Sequence, residues 1–389
     1  MKYSRPAWLE VNLDNIKHNV EVIRREVADH TKIISIVKAD GYEFGANEIT
    51  RTLRSIDVKN FAVATPNEAI GLRKEFDDIE ILILGYTPEH LMEKMIENKI
   101  QMGVSSLEMA KIINEHAKKC GKKGRVHIVI DSGMNRIGFK PTEQSIADIV
   151  ELNQLENVEI VGMFTHFAVA DEDDAYTRKQ FDNYQFMVKG LKENGITPLL
   201  HVSNSHAIMR YREFDLDFVR PGVIQYGSVE GDPYGKDFDV KFVGSIKAQI
   251  GHIKTVPAGE GVSYGLTYVT DKETTIATLP LGYADGIPRL LSNKIDVLVN
   301  GQRCKQIGRI CMDQCMVDIT GVDAKVGDEV VIIGKQGDEE ITIEEIAEKA
   351  GEIPTSFVTH FNKRFPRVYI ENGKVTKVVD LVEETEEIC

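Results

Sequence analysis

Between residues 32 and 227 the chain repeats one pattern eight times: a short apolar run, then an amphipathic or turn-rich stretch. The apolar runs are KIISIVK (32–38), FAVAT (61–65), IEILILG (79–85), QMGVSS (101–106), RVHIVID (125–131), VEIVGMFTH (158–166), LLHVSNS (199–205) and FVRPGVIQYG (218–227). Between them lie helical stretches such as FGANEITRTLRSI, NEAIGLRKEF and LEMAKIINEHAKK, and longer ones near 142–153 and 174–194. Runs without strict alternation are buried on both faces, as parallel strands are. Strand–helix alternation implies right-handed crossovers. Eight such units fit a closed (β/α)₈ barrel. The rival, an open doubly wound sheet, would normally carry a Gly-rich first turn, and here that turn reads KADGYEFGA.

The pattern changes near residue 235. Short β-rich runs follow, among them VKFVGSIKAQIGHI, TTIATLPL, KIDVLVNG and DEVVIIGK, separated by Gly- and Asp-containing turns. They predict a mainly antiparallel β domain. The expected organisation is therefore α/β: a barrel over 1–235 and a β-rich domain over 236–389, with the first ten or so residues packing on the β domain. One helix, IEEIAEKAG, interrupts the second domain, GEGVSYG (259–265) reads as a loop, and the acidic end VEETEEIC reads as frayed.

Charge narrows the function classes. The chain has 389 residues with 47 Lys+Arg and 61 Asp+Glu, a net charge of −14. That balance disfavours a nucleic-acid or anionic-membrane partner. No apolar run is long enough to span a membrane, and the N-terminus lacks an apolar signal core, so a cytoplasmic location is expected. The five cysteines, Cys120, Cys304, Cys311, Cys315 and Cys389, are too few and too odd in number for a disulfide framework. Cys311 and Cys315 lack the further ligands a tetrahedral metal site needs, so no metal is expected.

A barrel keeps its active site at the C-terminal ends of its strands. Strand one ends in Lys38, followed by Asp40 and Tyr42. Strand five leads to Asp131 and Arg136, strand six to His166, strand seven to Ser205 and His206, and strand eight to Arg220, Gly222 and Val223. A lysine closing an apolar strand either snorkels at the strand mouth or is a desolvated amine suited to Schiff-base chemistry. A Ser after strand seven and a Gly after strand eight are the makings of a phosphate site, because small residues let backbone N–H groups reach an anion. His166 alone reads more readily as a satisfied core histidine. Together the set suits a phosphorylated aldehyde cofactor, pyridoxal phosphate, better than a metal.

VKADGYEFGA resembles the V-K-A-D-A/G-Y-G-H-G segment of alanine racemases, the fold-type III pyridoxal-phosphate enzymes. AWLEVNLDNIKHNV, DSGMNRIGF, MFTHFAVADEDD, VRPGVIQYG, GEGVSYGLTY, LPLGYADGIPR, GRICMDQCMVDIT and RFPRVY follow in the family's order and spacing. The resemblance spans essentially the whole chain. It implies that Lys38 holds the cofactor and that Tyr264 is the second catalytic base, supplied by the partner subunit of a head-to-tail homodimer. It implies that Arg220 donates to the pyridine nitrogen and that His166 sits behind Tyr264 and Arg220. Tyr42, Ser205, Gly222 and Val223 would bind the phosphate. Arg136 would face the cofactor's phenolic oxygen and the substrate carboxylate, helped by Met312 of the partner. Tyr283 and Asp313 would line the entry corridor. The implied activity is racemisation of an amino acid, alanine by default, by two bases on opposite faces. An arginine, which keeps its proton, leaves the pyridine ring uncharged and disfavours transamination.

Three positions depart from the family's pattern. Val129 stands where a lysine, often carbamylated, braces the strand-five arginine. Thr355, nine residues before Arg364, stands where a tyrosine reaches the phosphate and crowds the substrate side chain. Glu43 and Phe44 replace a small residue and a His or Tyr. These changes bear on the pocket and keep open a relative acting on serine or a broader range of amino acids. A decarboxylase of the same fold would carry a carboxylate in place of Arg220, and a non-catalytic cofactor-binding barrel would lack GVSYG.

Overall fold

The computed structural model describes residues 4–388. Eight parallel strands close into a barrel in chain order: Lys32–Ile36, Asn60–Val63, Glu80–Ile83, Gln101–Val104, Gly124–Val129, Val158–Phe164, Leu199–His201 and Phe218–Val219. The first and last strands meet at Lys32↔Phe218 and Ile33↔Val219. Ile81, Leu82 and Ile83 are buried on both faces of their strand, which accounts for the unalternating sequence. The outer helices start where a polar side chain can take an orphan amide: Ser106, Thr142 and Asp173 each accept from an N–H of the first turn they cap.

The seventh and eighth strands are shorter than their apolar runs. Asn204 accepts from the Ala207 amide and so begins the helix Ser205–Arg210 soon after the strand ends at His201. Pro221, which has no N–H, ends the eighth strand, and a 3₁₀ turn follows at Val223–Tyr226. Both departures place small residues and free backbone at the barrel mouth.

The second unit is a twelve-stranded, mainly antiparallel sheet. The strand Ala7–Asn12 lies inside it, antiparallel to Gly244–Gln249 and parallel to Arg367–Glu371. The stretch read as the GEGVSYG loop carries a two-residue ladder, Gly261–Val262 against Tyr268–Val269, with Tyr264 on the turn between. Besides the expected helix, found at Ile343–Ala350, a short one spans Pro354–Val358 and carries Thr355. The acidic end is not frayed over its described part. Thr385–Ile388 pairs with Lys374–Asp380, held by a Lys377–Glu386 ion pair of 2.8 Å. Cys389 lies outside the described residues.

The backbone after strand one bends in an uncommon way. Ala39, Asp40, Gly41, Tyr42 and Glu43 all have φ between 50° and 68°. Only Gly41 is at home there, since a Cβ in the left-handed region crowds the next carbonyl at roughly 1–2 kcal/mol per residue. The turn is held from three sides. Glu68 accepts from the Ala39 amide at 2.7 Å. The Gly45 and Ala46 amides donate to Asp40 at 2.8 and 2.9 Å. From the β domain, the buried Arg367 donates to the Glu43 carbonyl at 3.3 Å and to its carboxylate at 3.1 Å. Glu43 thus occupies a strained position and has a partner there. The turn throws Lys38 and Tyr42 into the barrel mouth together.

Candidate active site

A cavity of about 560 Å³ opens at the C-terminal end of the barrel. Its walls include Lys38, Tyr42, Val129, Arg136, His166, Ser205, His206, Arg220, Gly222, Val223 and Thr355, all named from the sequence, and also Glu230, which was not. Lys38 is largely buried. Burial and the nearby Arg136 charge lower its pKa from the ordinary lysine value, and Glu68 opposes them.

Arg220 is 4% exposed and tightly bonded. One terminal nitrogen donates to the His201 carbonyl at 2.8 Å and to His201 Nδ1 at 3.1 Å. The other donates to the Thr165 and Val202 carbonyls at 2.7 and 3.0 Å. Nε alone has no partner among the described residues. Burial lowers the Arg220 pKa to about 10, so it remains charged at neutral pH. His166 is neutral there: burial, Arg220, Arg136 and Lys38 together push its pKa down to about 3. Its ring makes no hydrogen bond with Arg220. The histidine that does is His201, which the sequence reading did not single out.

The far wall is built for an anion. Ser205 Oγ accepts from the Gly222 and Ile224 amides at 3.0 and 3.4 Å, which fixes the loop after strand eight. A Cβ on Gly222 would stand 2.7 Å from the Tyr42 hydroxyl, so the cradle needs glycine. That hydroxyl makes no hydrogen bond within the described residues. Burial, with Glu230 nearby, raises the Tyr42 pKa, so the phenol keeps its proton and is a donor. A free hydroxyl donor beside a glycine cradle, a desolvated amine and an unpartnered arginine N–H fit the phosphate, aldehyde and ring nitrogen of pyridoxal phosphate.

Two of the unusual positions are accounted for locally. Val129 is buried against the cavity, and Arg136 is exposed with no hydrogen bond or ion pair among the described residues. Its guanidinium is free for an anionic ligand. Thr355 does reach the cavity wall, but its hydroxyl and its amide, the latter at 2.9 Å, both donate to Glu230 Oε1. His206 binds the other Glu230 oxygen at 3.3 Å and Asp232 at 3.0 Å. Burial lowers the His206 pKa, but these two carboxylates outweigh it and raise the pKa overall.

Tyr264, Met312, Tyr283 and Asp313 are absent from the wall of this cavity. They lie in the β domain. Tyr264 is 67% exposed, Met312 52% and Tyr283 40%. The backbone bond from Tyr283 N to Cys311 O, 3.0 Å, joins two of their loops, and Ser263 ties the third by donating to the Arg309 carbonyl at 2.6 Å. Asp313 pairs with Arg364 at 2.8 Å. These four therefore share a solvent-facing surface of the chain that carries them.

Comparison with known proteins identifies the family. The family model for the alanine racemase N-terminal domain matches residues 11–230, and that for the C-terminal domain matches residues 243–369. An alanine racemase of Clostridium novyi is 44% identical over 382 residues, covering 97% of this chain and 98% of the relative. The solved structure of an alanine racemase from Clostridium difficile 630 superposes with a TM-score of 0.93 at 45% identity, over 97% of this chain and 99% of that one. A Bartonella henselae alanine racemase, solved with covalently bound pyridoxal phosphate, superposes with a TM-score of 0.83 at 29% identity, over 94% of this chain and 99% of that one. With both domains matched in order along nearly its whole length, the chain belongs to the alanine racemase family.

Proposed function

We propose that this chain interconverts L- and D-alanine with pyridoxal phosphate, using Lys38 and the partner subunit's copy of Tyr264 as the two bases. The observation that carries the residue assignment is the convergence of Lys38, the free Arg220 Nε–H and the glycine cradle with Tyr42 in one cavity. When bound, pyridoxal phosphate supplies the electron sink that lets the α-proton of an amino acid leave. The chain does the rest. Tyr42 and the loop Gly222–Val223 anchor the phosphate. Arg220 donates to the ring nitrogen and keeps its own proton. Arg136 takes the substrate carboxylate. Lys38 Nζ removes or returns the Cα proton on one face, and Tyr264 Oη does so on the other. His166, held neutral by burial and the Arg220 charge, would accept from the tyrosine hydroxyl in this reading.

The same proposal includes a head-to-tail homodimer, supported by the exposure of Tyr264 on the β domain and its absence from the wall of the cavity that holds Lys38. It includes a cytoplasmic location, in keeping with the unpaired Cys120, Cys304, Cys311 and Cys315. No helix among the described residues is long and apolar enough to cross a membrane. Incubating the holoprotein with L-alanine and, separately, D-alanine, with chiral chromatography of the products, tests the reading. Both should converge on one mixture; unchanged enantiomers would refute it.

Thr355 adds a prediction about side-chain tolerance. It offers room where an aromatic ring would stand. Its hydroxyl proton is committed to Glu230, which leaves the oxygen able only to accept from a further partner. A substrate hydroxyl can donate to it. Serine should therefore be racemised beside alanine, more slowly. Thr355→Tyr should lower the serine-to-alanine ratio of kcat/KM about tenfold, the value of one modest hydrogen bond. An unchanged ratio would remove Thr355 from the specificity argument.

A further inference from the structure

A chain of buried polar groups runs from Arg220 down through the barrel to its opposite mouth. Arg220 donates to His201 Nδ1 at 3.1 Å. His201 Nε2 meets His127 Nδ1 at 2.8 Å. His127 Nε2 meets Gln101 Oε1 at 2.6 Å. The Gln101 amide then donates to Glu80, whose carboxylate also takes Arg125 at 2.6 Å. Arg220, His201, His127 and Gln101 are each at most 5% exposed. Gln101, Glu80 and Arg125 stand at or near the N-terminal ends of their strands, where a second cavity of about 140 Å³ opens.

The direction of every bond in this chain is forced. A guanidinium only donates, so His201 Nδ1 must accept. Both rings are neutral. Burial, together with the Arg125 and Arg220 charges, takes His127 to about 3, and burial with Arg220 and His127 takes His201 well below its usual value. A neutral imidazole has one N–H. His201 therefore carries it on Nε2 and donates to His127 Nδ1. His127 likewise carries it on Nε2 and donates to the Gln101 oxygen. That orients the amide so that its nitrogen faces Glu80. Nothing in the chain can reverse without setting two donors against each other.

We propose that Gln101, His127 and Glu80 are positioning residues for Arg220, acting through the enforced tautomer of His201. Gln101 is the group that sets the direction. Without its acceptor, the His127 Nε2–H is buried with no partner. Reversing both rings relieves this, but it turns a His201 Nδ1–H onto the Arg220 N–H. Arg220 must then move, and its free Nε–H leaves the line it holds in the cavity. The phosphate cradle and Arg136 are untouched, so substrate and cofactor should still bind.

The test has two arms. Nitrogen-15 spectra of ring-labelled protein report the tautomers directly and owe nothing to the racemase reading. His201 and His127 should both show Nε2–H at neutral pH, and Gln101→Leu should shift at least one ring to Nδ1–H. The kinetic arm rests on the racemase reading. Gln101→Leu should lower kcat about tenfold with the KM for alanine within about twofold, as expected when an interaction felt mainly in the transition state is weakened. Gln101→Glu, combined with Glu80→Gln so that two carboxylates do not meet, restores an acceptor for His127 and should recover most of kcat, which a merely structural role for the amide would not require. Wild-type His201 carrying Nδ1–H, or a protonated ring at neutral pH, would overturn the proposal. So would an unchanged kcat in Gln101→Leu, or a Glu variant as slow as the Leu one. Should Gln101→Leu not fold, the wild-type spectrum and the Glu variant still decide. Absence of racemisation by the wild type would instead refute the racemase reading and leave the spectra to judge the chain.

Discussion

Lys38→Ala should bind pyridoxal phosphate only reversibly and lose essentially all racemisation, a fall of at least about a thousandfold, because one residue would lose two roles. Borohydride reduction of the wild-type holoprotein should fix the pyridoxyl label on Lys38 and on no other lysine; a label elsewhere would end the site assignment. The surroundings of the amine give this prediction a pH dependence. Burial and Arg136 lower the Lys38 pKa, so the free amine that attacks an aldehyde is populated at lower pH than for an ordinary lysine. The rate of cofactor uptake by apoprotein should rise with pH and level off below the usual lysine range. Removing the Arg136 charge, as in Arg136→Gln, removes a repulsion that favours the neutral amine, so the inflection should move up. Glu68 favours the ammonium, so Glu68→Gln should move it down. Glu68 also holds the Ala39 amide, and thus the left-handed turn, so only the direction of that second shift is diagnostic.

What the sequence disclosed about this site followed from how local each signal was. Lys38, Arg136, His166 and Arg220 each close or follow an apolar run, and a barrel gathers such residues on one face whatever the details. Strand ends were harder to read. LLHVSNS and FVRPGVIQYG are apolar enough to continue as strands, but Asn204 caps a helix and Pro221 interrupts the ladder. The acidic end was read from charge alone, whereas Lys377 neutralises it and lets it pair. The polar chain below Arg220 was invisible for a different reason. His127 and His201 sit 74 residues apart, in runs that read as ordinary buried strands. Only closure of the barrel brings them into contact. One cue was available: histidine inside a buried strand must find partners for its ring nitrogens. Glu230 was missed because its role is set by Thr355, which arrives from the other domain.

Tyr264→Phe should separate the two faces of the reaction and reveal the architecture of the site at once. In a single chain Tyr264 stands on the β domain, 67% exposed, away from the cavity that holds Lys38. In the proposed homodimer, a base so placed serves the neighbouring subunit. Removing its hydroxyl deletes the proton acceptor on one face of the substrate and leaves Lys38 on the other. Exchange of the α-proton with deuterium from solvent should therefore collapse for L-alanine, by about a hundredfold or more, and persist for D-alanine. Subunit mixing supplies the second half of the argument. Lys38→Ala and Tyr264→Phe homodimers each have two broken sites. A hybrid dimer has one site with both lesions and one with neither. Random reassortment at equal ratio makes half the dimers hybrid, so activity should return to about a quarter of the wild-type value. A tyrosine acting within its own chain predicts no such recovery, because every site would keep one lesion. Equal loss for both enantiomers, with no recovery on mixing, would show that Tyr264 is not the base of the second face.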